Sequence, residues 1–230
     1  MIDLIVVRHG ESIRNYATKL AHRGDPTLLQ AQLDEPSDYE PGWQLTSTGI
    51  GQAQRTGAFL RNIIGPKIDA AYVSPYLRTL QTASFLDLRH FFVQDWRLRE
   101  RRWGEYLSGD YDAAEYLQDI AHAGEPNWRS GFLGGESVTD LVPHMRQFVQ
   151  DRLISIETGI VVLVTHGGAA KALQLVIEGS EEAAQSAIPN CAIIHFKLTN
   201  FHSDGRAVGD IQTILTSAPG DPTVSWQHFG

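Results

Sequence analysis

Residues 2–10 read IDLIVVRHG. Apart from Asp3, the run up to Val7 is apolar on both faces. Continuous runs of this kind suit strands of a parallel sheet covered by helices on either side. The run then delivers a guanidinium, an imidazole and a glycine in succession: Arg8, His9, Gly10. A second stretch, GIVVLVTHGG at 159–168, repeats the pattern and ends in Thr165, His166 and Gly167. In open α/β sheets ligands bind beyond the carboxyl ends of the strands, where strand order reverses. Both histidines are therefore expected at strand ends facing one site. A glycine after each would let the backbone turn sharply or come close to a ligand.

Working outward from these two strands, the remaining elements alternate. The spacing of Ile50, Ala53, Gly57, Leu60 and Ile64 predicts a helix over 45–64 with Thr46 or Ser47 as N-cap. AAYVS (70–74) is a short strand, and PYLRTLQTASFL (75–86) a helix with Pro75 in its first turn. FFVQ (91–94) is a weaker strand. Residues 136–157 read as a helix through Leu141, Met145, Phe148, Val149, Leu153 and Ile156, with Pro143 disturbing its start. A helix over 168–179 is closed by Gly179, and AIIHFKL (192–198) is a further strand. Alternating strands and helices imply right-handed βαβ units. The expected architecture is α/β: three layers, a doubly wound and mostly parallel sheet with helices on both faces, in one domain spanning 1–230. Residues 16–44 and 104–135 fit no sheet position and read as excursions over one end of the sheet, near the mouth of a site. Residues 216–230 read as an irregular tail.

Composition narrows the function classes. The chain has 230 residues, 42% of them hydrophobic, enough for one sizeable core. A net charge of −8 argues against a nucleic-acid or anionic-membrane surface, although a locally positive pocket for a small anion is compatible with it. The single cysteine, Cys191, permits no internal disulfide and fits a reducing compartment. The first apolar run is cut short by Arg8, unlike a signal peptide, and no window approaches the roughly 18 apolar residues of a membrane span. A cytoplasmic protein is expected; oligomeric state is not legible.

Two imidazoles beside arginines suggest phosphoryl transfer more than a metal site. There is no HxxxH, no HExxH and no second cysteine, and an adjacent arginine would repel a cation; no metal is expected. A neutral imidazole is a good nucleophile toward phosphorus. The loose transition state spreads negative charge over three oxygens, which fixed guanidiniums can meet. Arg8 is one such donor, and Arg78, early in the helix after the 70–74 strand, is another. A leaving alkoxide also needs a proton. Glu100, in RLRERRWGEY (97–106), is the candidate, the alternative being a surface run of Glu–Arg pairs.

VVRHGES with Asn15, SPYLRTLQTA, LRERRWGEY, GGES and VTHGG stand in the order and spacing of the histidine phosphatase superfamily. From residue 2 to about 198 the chain resembles its phosphoglycerate-mutase-like branch, most closely the broad-specificity phosphatases. The resemblance implies a phosphoglycerate-mutase-like fold and His9 as the phosphorylated nucleophile. It implies Arg8, Arg78 and His166 around the phosphate, Asn15 on a phosphate oxygen or beside the nucleophile, and Glu100 as proton donor. It implies no metal or organic cofactor, a small phosphorylated substrate and inorganic phosphate as product.

The chain also departs from the family pattern. About thirty residues, including Lys19, His22 and Arg23, replace a short loop between Asn15 and LTSTG, in the region that borders the substrate. Ser12 stands for the commoner threonine and keeps the hydroxyl. Ser12, Asn15, Arg23, Arg101 and Gly167 are the expected substrate contacts, Arg101 for a substrate bearing a carboxylate. True mutases of the family carry a basic cluster after the glutamate motif and HGNSxR at the second histidine. Here no lysine lies between Lys67 and Lys171, residues 103–135 hold only Arg129, and the second motif reads HGGAAK. Hydrolysis of phosphomonoesters through phosphohistidine is therefore expected, with mutase-type transfer and non-catalytic phospholigand binding as alternatives. Trp43, Trp96 and Trp103 are expected to cap the core, and Cys191 to be a small buried residue.

Overall fold

A computed structural model describes residues 1–34, 42–104, 112–123, 129, 134–179, 181, 187–208 and 212–216. In chain order these form β1 (Ile2–Arg8), α1 (Ile13–His22), α2 (Thr27–Asp34), α3 (Ser47–Ile64), β2 (Ala70–Val73), α4 (Leu77–Leu86) and β3 (Val93–Gln94). There follow α5 (Ala113–Ala123), α6 (Val138–Phe148), β4 (Gly159–Thr165), α7 (Gly167–Glu178), β5 (Ile193–Leu198), β6 (Asn200–Phe201), β7 (Ala207–Val208) and β8 (Gln212–Thr216).

Six strands form one sheet in the order β3-β2-β4-β1-β5-β8. The first four run parallel, while β5 and β8 are antiparallel additions at one side. The apolar character of β1 on both faces has the expected cause. Ile2, Leu4 and Val6 point into a core shared with Met145 and Phe148 of α6 and Leu173 of α7. Ile5 and Val7 point into a second core with Leu60 of α3 and Leu86 of α4. The α/β, mostly parallel, doubly wound reading is thus what the structure shows. Among the described residues, no helix is long and apolar enough to cross a membrane.

Several boundaries differ from the sequence expectation. Pro75 lies outside α4, whose N-cap is Tyr76. Residues 74–76 stay in a turn, with the Tyr76 amide donating to Ser74 Oγ (3.4 Å) and Thr79 Oγ1 donating to the Ser74 carbonyl (2.9 Å). The 136–157 helix divides into α6 and a π turn, Val149–Leu153. Pro143 lies inside α6 without ending it: the bond it forgoes is to a first-turn carbonyl, and a Ser137–Asp140 capping box holds the start. Of the 91–94 strand only Val93–Gln94 pairs. The expected tail begins at Thr216, which closes β8; residues 217–230 lie outside the described residues.

The two excursions contain helices. α1, α2 and α5 pack around a small third core of Ala17, Ala21, Leu29, Leu33, Ala113 and Tyr116. Two segments far apart in sequence therefore build one cap over the carboxyl end of the sheet.

Candidate active site

The register of β1 on β4 places Arg8 opposite Thr165, so the residues that follow, His9 and His166, emerge side by side. The ladder extends one step further, the His9 amide donating to the Thr165 carbonyl (2.9 Å). The two rings stand 5.2 Å apart between centroids at an interplanar angle of 64°. Both side chains are buried. The expectation that the early and late imidazoles meet is fulfilled by strand pairing.

Each ring is held in a defined orientation. His9 Nδ1 lies 2.7 Å from the Gly10 carbonyl, an acceptor, so Nδ1 carries the proton and Nε2 presents its lone pair. Arg78 Nε donates to that Nε2 at 3.3 Å. His166 Nε2 lies 2.8 Å from Ser74 Oγ, at the end of β2, while its Nδ1 is buried without a hydrogen-bond partner. Burial foremost, then the Arg78 and Arg8 guanidiniums, pushes His9 well below the usual 6.5 of an imidazole. Burial, then Arg78, His9 and Arg8, does the same to His166. Arg8 itself is lowered by burial, with Glu100 opposing. Its Nη1 donates to the Ile188 carbonyl and its Nε has no partner.

Main-chain contacts support the loop that carries His9. Cys191, at a positive φ of 57°, donates its amide to the carbonyls of Arg8 (3.1 Å) and His9 (3.2 Å), and Asn190 Nδ2 donates to the His9 carbonyl (3.1 Å). Burial pushes the Cys191 thiol up to about 12, consistent with an inert, packed cysteine. The first glycine has a reason the sequence reading did not supply. A Cβ on Gly10 would stand 2.5 Å from the Gly49 carbonyl, and one on Gly49 2.1 Å from that of Glu11. Gly10 is there for the close approach of α3, not of a ligand. Gly167, by contrast, has room for a Cβ at 3.6 Å from Arg8 Nε.

The charge run at 97–102 divides into separate tasks. Arg97 pairs with Asp95 and Asp151, and Arg99 makes a two-pronged pair with Glu136 at 2.6 and 2.7 Å. Exposed Arg102 donates its amide to the same Glu136 (2.8 Å). Glu100 alone of this run lines the pocket with His9 and Arg8. Its carboxylate accepts the amides of Arg101 (3.0 Å) and Gly168 (3.3 Å), and a Cβ on Gly168 would strike it at 2.3 Å. The GGES glutamate is thus a brace for the loop that carries Glu100.

That brace carries a prediction. Burial would raise the Glu136 carboxyl, but the Arg99 hydrogen bonds and charge lower it from 4.5 to about 2. A depressed carboxyl contributes stability that is present above its unfolded pKa and lost as pH falls toward the folded one. Glu136 is expected to contribute about 3 kcal/mol at neutral pH, lost between about pH 4.5 and about pH 2. Urea unfolding of Glu136→Gln at stepped pH should show a deficit of that order at neutrality that shrinks across this window. A deficit constant down to pH 2 would contradict it.

Among the described residues the cavity, about 380 Å³, is lined by the cations Arg8, Arg14, Lys19 and Arg78, by His9 and His22, and by one carboxylate, Glu100. Ser12 and Asn15 line it as expected. They also cap α1: the Asn15 amide donates to Ser12 Oγ (3.3 Å) and the Ser12 amide to Asn15 Oδ1 (3.1 Å). Arg23 is not brought there; it is exposed at the end of α1. Arg101 is buried against Trp103, its guanidinium 4.6 Å from that ring, and does not line the cavity. Trp43 is corrected from a core cap to a cavity wall, Trp103 both packs on the third core and lines the cavity, and Trp96 is largely exposed. Arg14, Ser74, Tyr116 and Asn190 were not foreseen. Ser74 obeys the same strand-end logic as the histidines, and Arg14, Thr18 and His22 recur at i, i+4, i+8 on one face of α1. Tyr116 and Asn190 carry no sequence signal. Among the described residues no group of three or more His, Cys, Asp or Glu could hold a metal ion.

Comparison with known proteins agrees with this geometry. A 2,3-bisphosphoglycerate-dependent phosphoglycerate mutase of Azorhizobium caulinodans is 30% identical over 186 residues, 76% of this chain and 81% of that protein. In fold, the chain is similar to a mycobacterial glucosyl-3-phosphoglycerate phosphatase complexed with VO3. Their TM-score is 0.65, with 23% identity over 94% of this chain and 98% of the other. It is also similar to an Entamoeba histolytica phosphoserine phosphatase in complex with 3-phosphoglyceric acid (TM-score 0.64, 22% identity, 100% of both chains). The family model for branch 1 of the histidine phosphatase superfamily matches residues 4–210. With paired strand-end histidines, flanking arginines and a match across most of its length, the chain belongs to the histidine phosphatase superfamily, branch 1.

Proposed function

We propose that the protein is a phosphomonoesterase that hydrolyses small phosphorylated metabolites through a phosphohistidine at His9. The observation that carries this reading is the state of His9. Its Nδ1 proton is committed to the Gly10 carbonyl, its Nε2 faces the Arg78 guanidinium, and its surroundings keep it neutral. In the first step Nε2 attacks phosphorus, an N–P bond forms and the ester P–O bond breaks. Arg8, Arg78 and His166 surround the phosphoryl oxygens; the partnerless Arg8 Nε and His166 Nδ1 are suited to meet them. Glu100, as the carboxylic acid, gives its proton to the departing alkoxide. In the second step the Glu100 carboxylate takes a proton from water, the resulting hydroxide attacks phosphorus and the N–P bond breaks, releasing inorganic phosphate. Ser12 and Asn15 border the substrate in this scheme; Gly167, Arg23 and Arg101 do not line the cavity and take no part.

The mutase reading has the name of the sequence relative in its favour. One assay separates the two. With 3-phosphoglycerate and p-nitrophenyl phosphate in excess EDTA, hydrolysis predicts stoichiometric release of inorganic phosphate from both. Isomerisation of 3-phosphoglycerate without release would establish the mutase, and phospholigand binding without turnover of either substrate would establish a binder. The pH profile has a definite sign. Protonation removes the lone pair of His9, so a depressed pKa moves that loss to lower pH. We expect kcat/KM to hold as pH falls through 6.5, with the acid limb well below it. A fall centred on 6.5 or above would contradict a desolvated nucleophile.

A further inference from the structure

Arg14 is the cation of the pocket that the reaction scheme leaves without a task. It is the second residue of α1 and is only 5% exposed, yet it lines the cavity. Among the described residues its guanidinium has no hydrogen-bond acceptor and no carboxylate; Nε and Nη1 are both buried without a partner. What holds it is aromatic: the guanidinium carbon lies 4.9 Å from the ring centroid of Trp43 and 4.4 Å from that of Tyr116. Ring faces offset only part of the cost of removing a guanidinium from water, and they leave its hydrogen-bonding edge unanswered. The other basic wall residue of α1, Lys19, is already paired with Glu11.

Trp43 also ties Arg14 to the reaction centre. The Arg78 guanidinium lies 5.6 Å from the same Trp43 centroid. One indole is thus within reach of both the arginine that meets His9 and the arginine that, among the described residues, meets only aromatic rings. The geometry points to Arg14 as the specificity-determining residue of this pocket: it takes a second anionic group, a carboxylate or a second phosphate, on a phosphomonoester whose reacting phosphate lies at His9. Trp43 and Tyr116 hold the guanidinium through its ring contacts and leave its N–H groups, Nε and Nη1 among them, for an oxyanion in fork geometry. The inference rests on the hydrolase reading for where the first phosphate sits, and it concerns the far end of the substrate.

Two measurements test it. The first compares kcat/KM for 3-phosphoglycerate and glycerol 3-phosphate, which differ by a carboxylate against a hydroxymethyl group, in wild type and Arg14→Gln. Wild type should prefer the acid, and the variant should lower that preference about ten- to hundredfold, through KM, with Arg14→Lys restoring part of it. An equal preference in wild type and variant would overturn the inference, as would no preference in wild type together with equal binding of the three phosphonates described next. The second needs neither turnover nor a variant: binding of 3-phosphonopropionate, propane-1,3-bisphosphonate and propylphosphonate to the wild-type protein by calorimetry. Tighter binding of either diacid than of the monoacid supports Arg14's role, and the stronger of the two names the group. Equal binding of all three overturns it. Selective binding with no phosphate released from any substrate would sink the hydrolase reading while leaving the Arg14 assignment in place; turnover without selectivity would do the reverse.

Discussion

His9→Ala is expected to abolish turnover, lowering kcat/KM by on the order of 10⁴-fold or more, because no other group can replace the nucleophile. His166 is the nearest imidazole, but its Nε2 is engaged with Ser74 and its ring meets that of His9 at a steep angle. The loss should not reflect unfolding. The contacts that hold position 9 are main-chain: its amide on the Thr165 carbonyl, and its carbonyl accepting from Cys191 and Asn190. All survive truncation to alanine, so the variant should keep the circular dichroism and thermal transition of wild type to within a few degrees. Labelling with a phosphomonoester carrying radioactive phosphorus gives the direct reading. Wild type quenched during turnover should carry acid-labile, base-stable label, and the variant none. Label retained in His9→Ala, or turnover within tenfold of wild type, would remove the phosphohistidine from this protein's mechanism.

Glu100→Gln should divide substrates by their leaving groups. Glutamine keeps the shape and one acceptor oxygen, which serves the Arg101 amide that Oε1 accepts but not also the longer Gly168 bond on Oε2, and it has no acidic proton. An alkyl phosphate needs that proton in the first step, and the rate should fall about 10²- to 10⁴-fold with no burst of alcohol. p-Nitrophenolate leaves without protonation, so the first step should survive and the second, in which Glu100 would activate water, should not. Stopped-flow mixing is then expected to show one enzyme equivalent of nitrophenol released rapidly, followed by a slow steady state. Equal small losses on both substrates, with no burst, would show that Glu100 neither donates nor accepts the proton.

Much of this arrangement was legible in the chain. Runs apolar on both faces could only be strands buried between helices, because an exposed face would have alternated. The topology of such a sheet then carried Arg8, His9 and His166 to its carboxyl edge. Ser74 was legible by the same rule and went unread. From the residues alone the charge run at 97–102 was not decidable; only the family resemblance singled out Glu100. What separates the members of the run is the partner each one meets, Asp95 and Asp151 for Arg97, Glu136 for Arg99, the cavity for Glu100.

The chain alone determined the local properties: which runs are buried, which ends bear imidazole and guanidinium, and hence the sheet and the family. The tertiary structure decided what depends on distant segments meeting. Residues 16–34 and 113–123 show no joint pattern, yet they pack on one another as α1, α2 and α5 and bring Tyr116 against the Arg14 guanidinium. A side chain that touches two aromatic rings from different segments is set by three-body packing, and periodicity along one strand or helix carries no information about the third body.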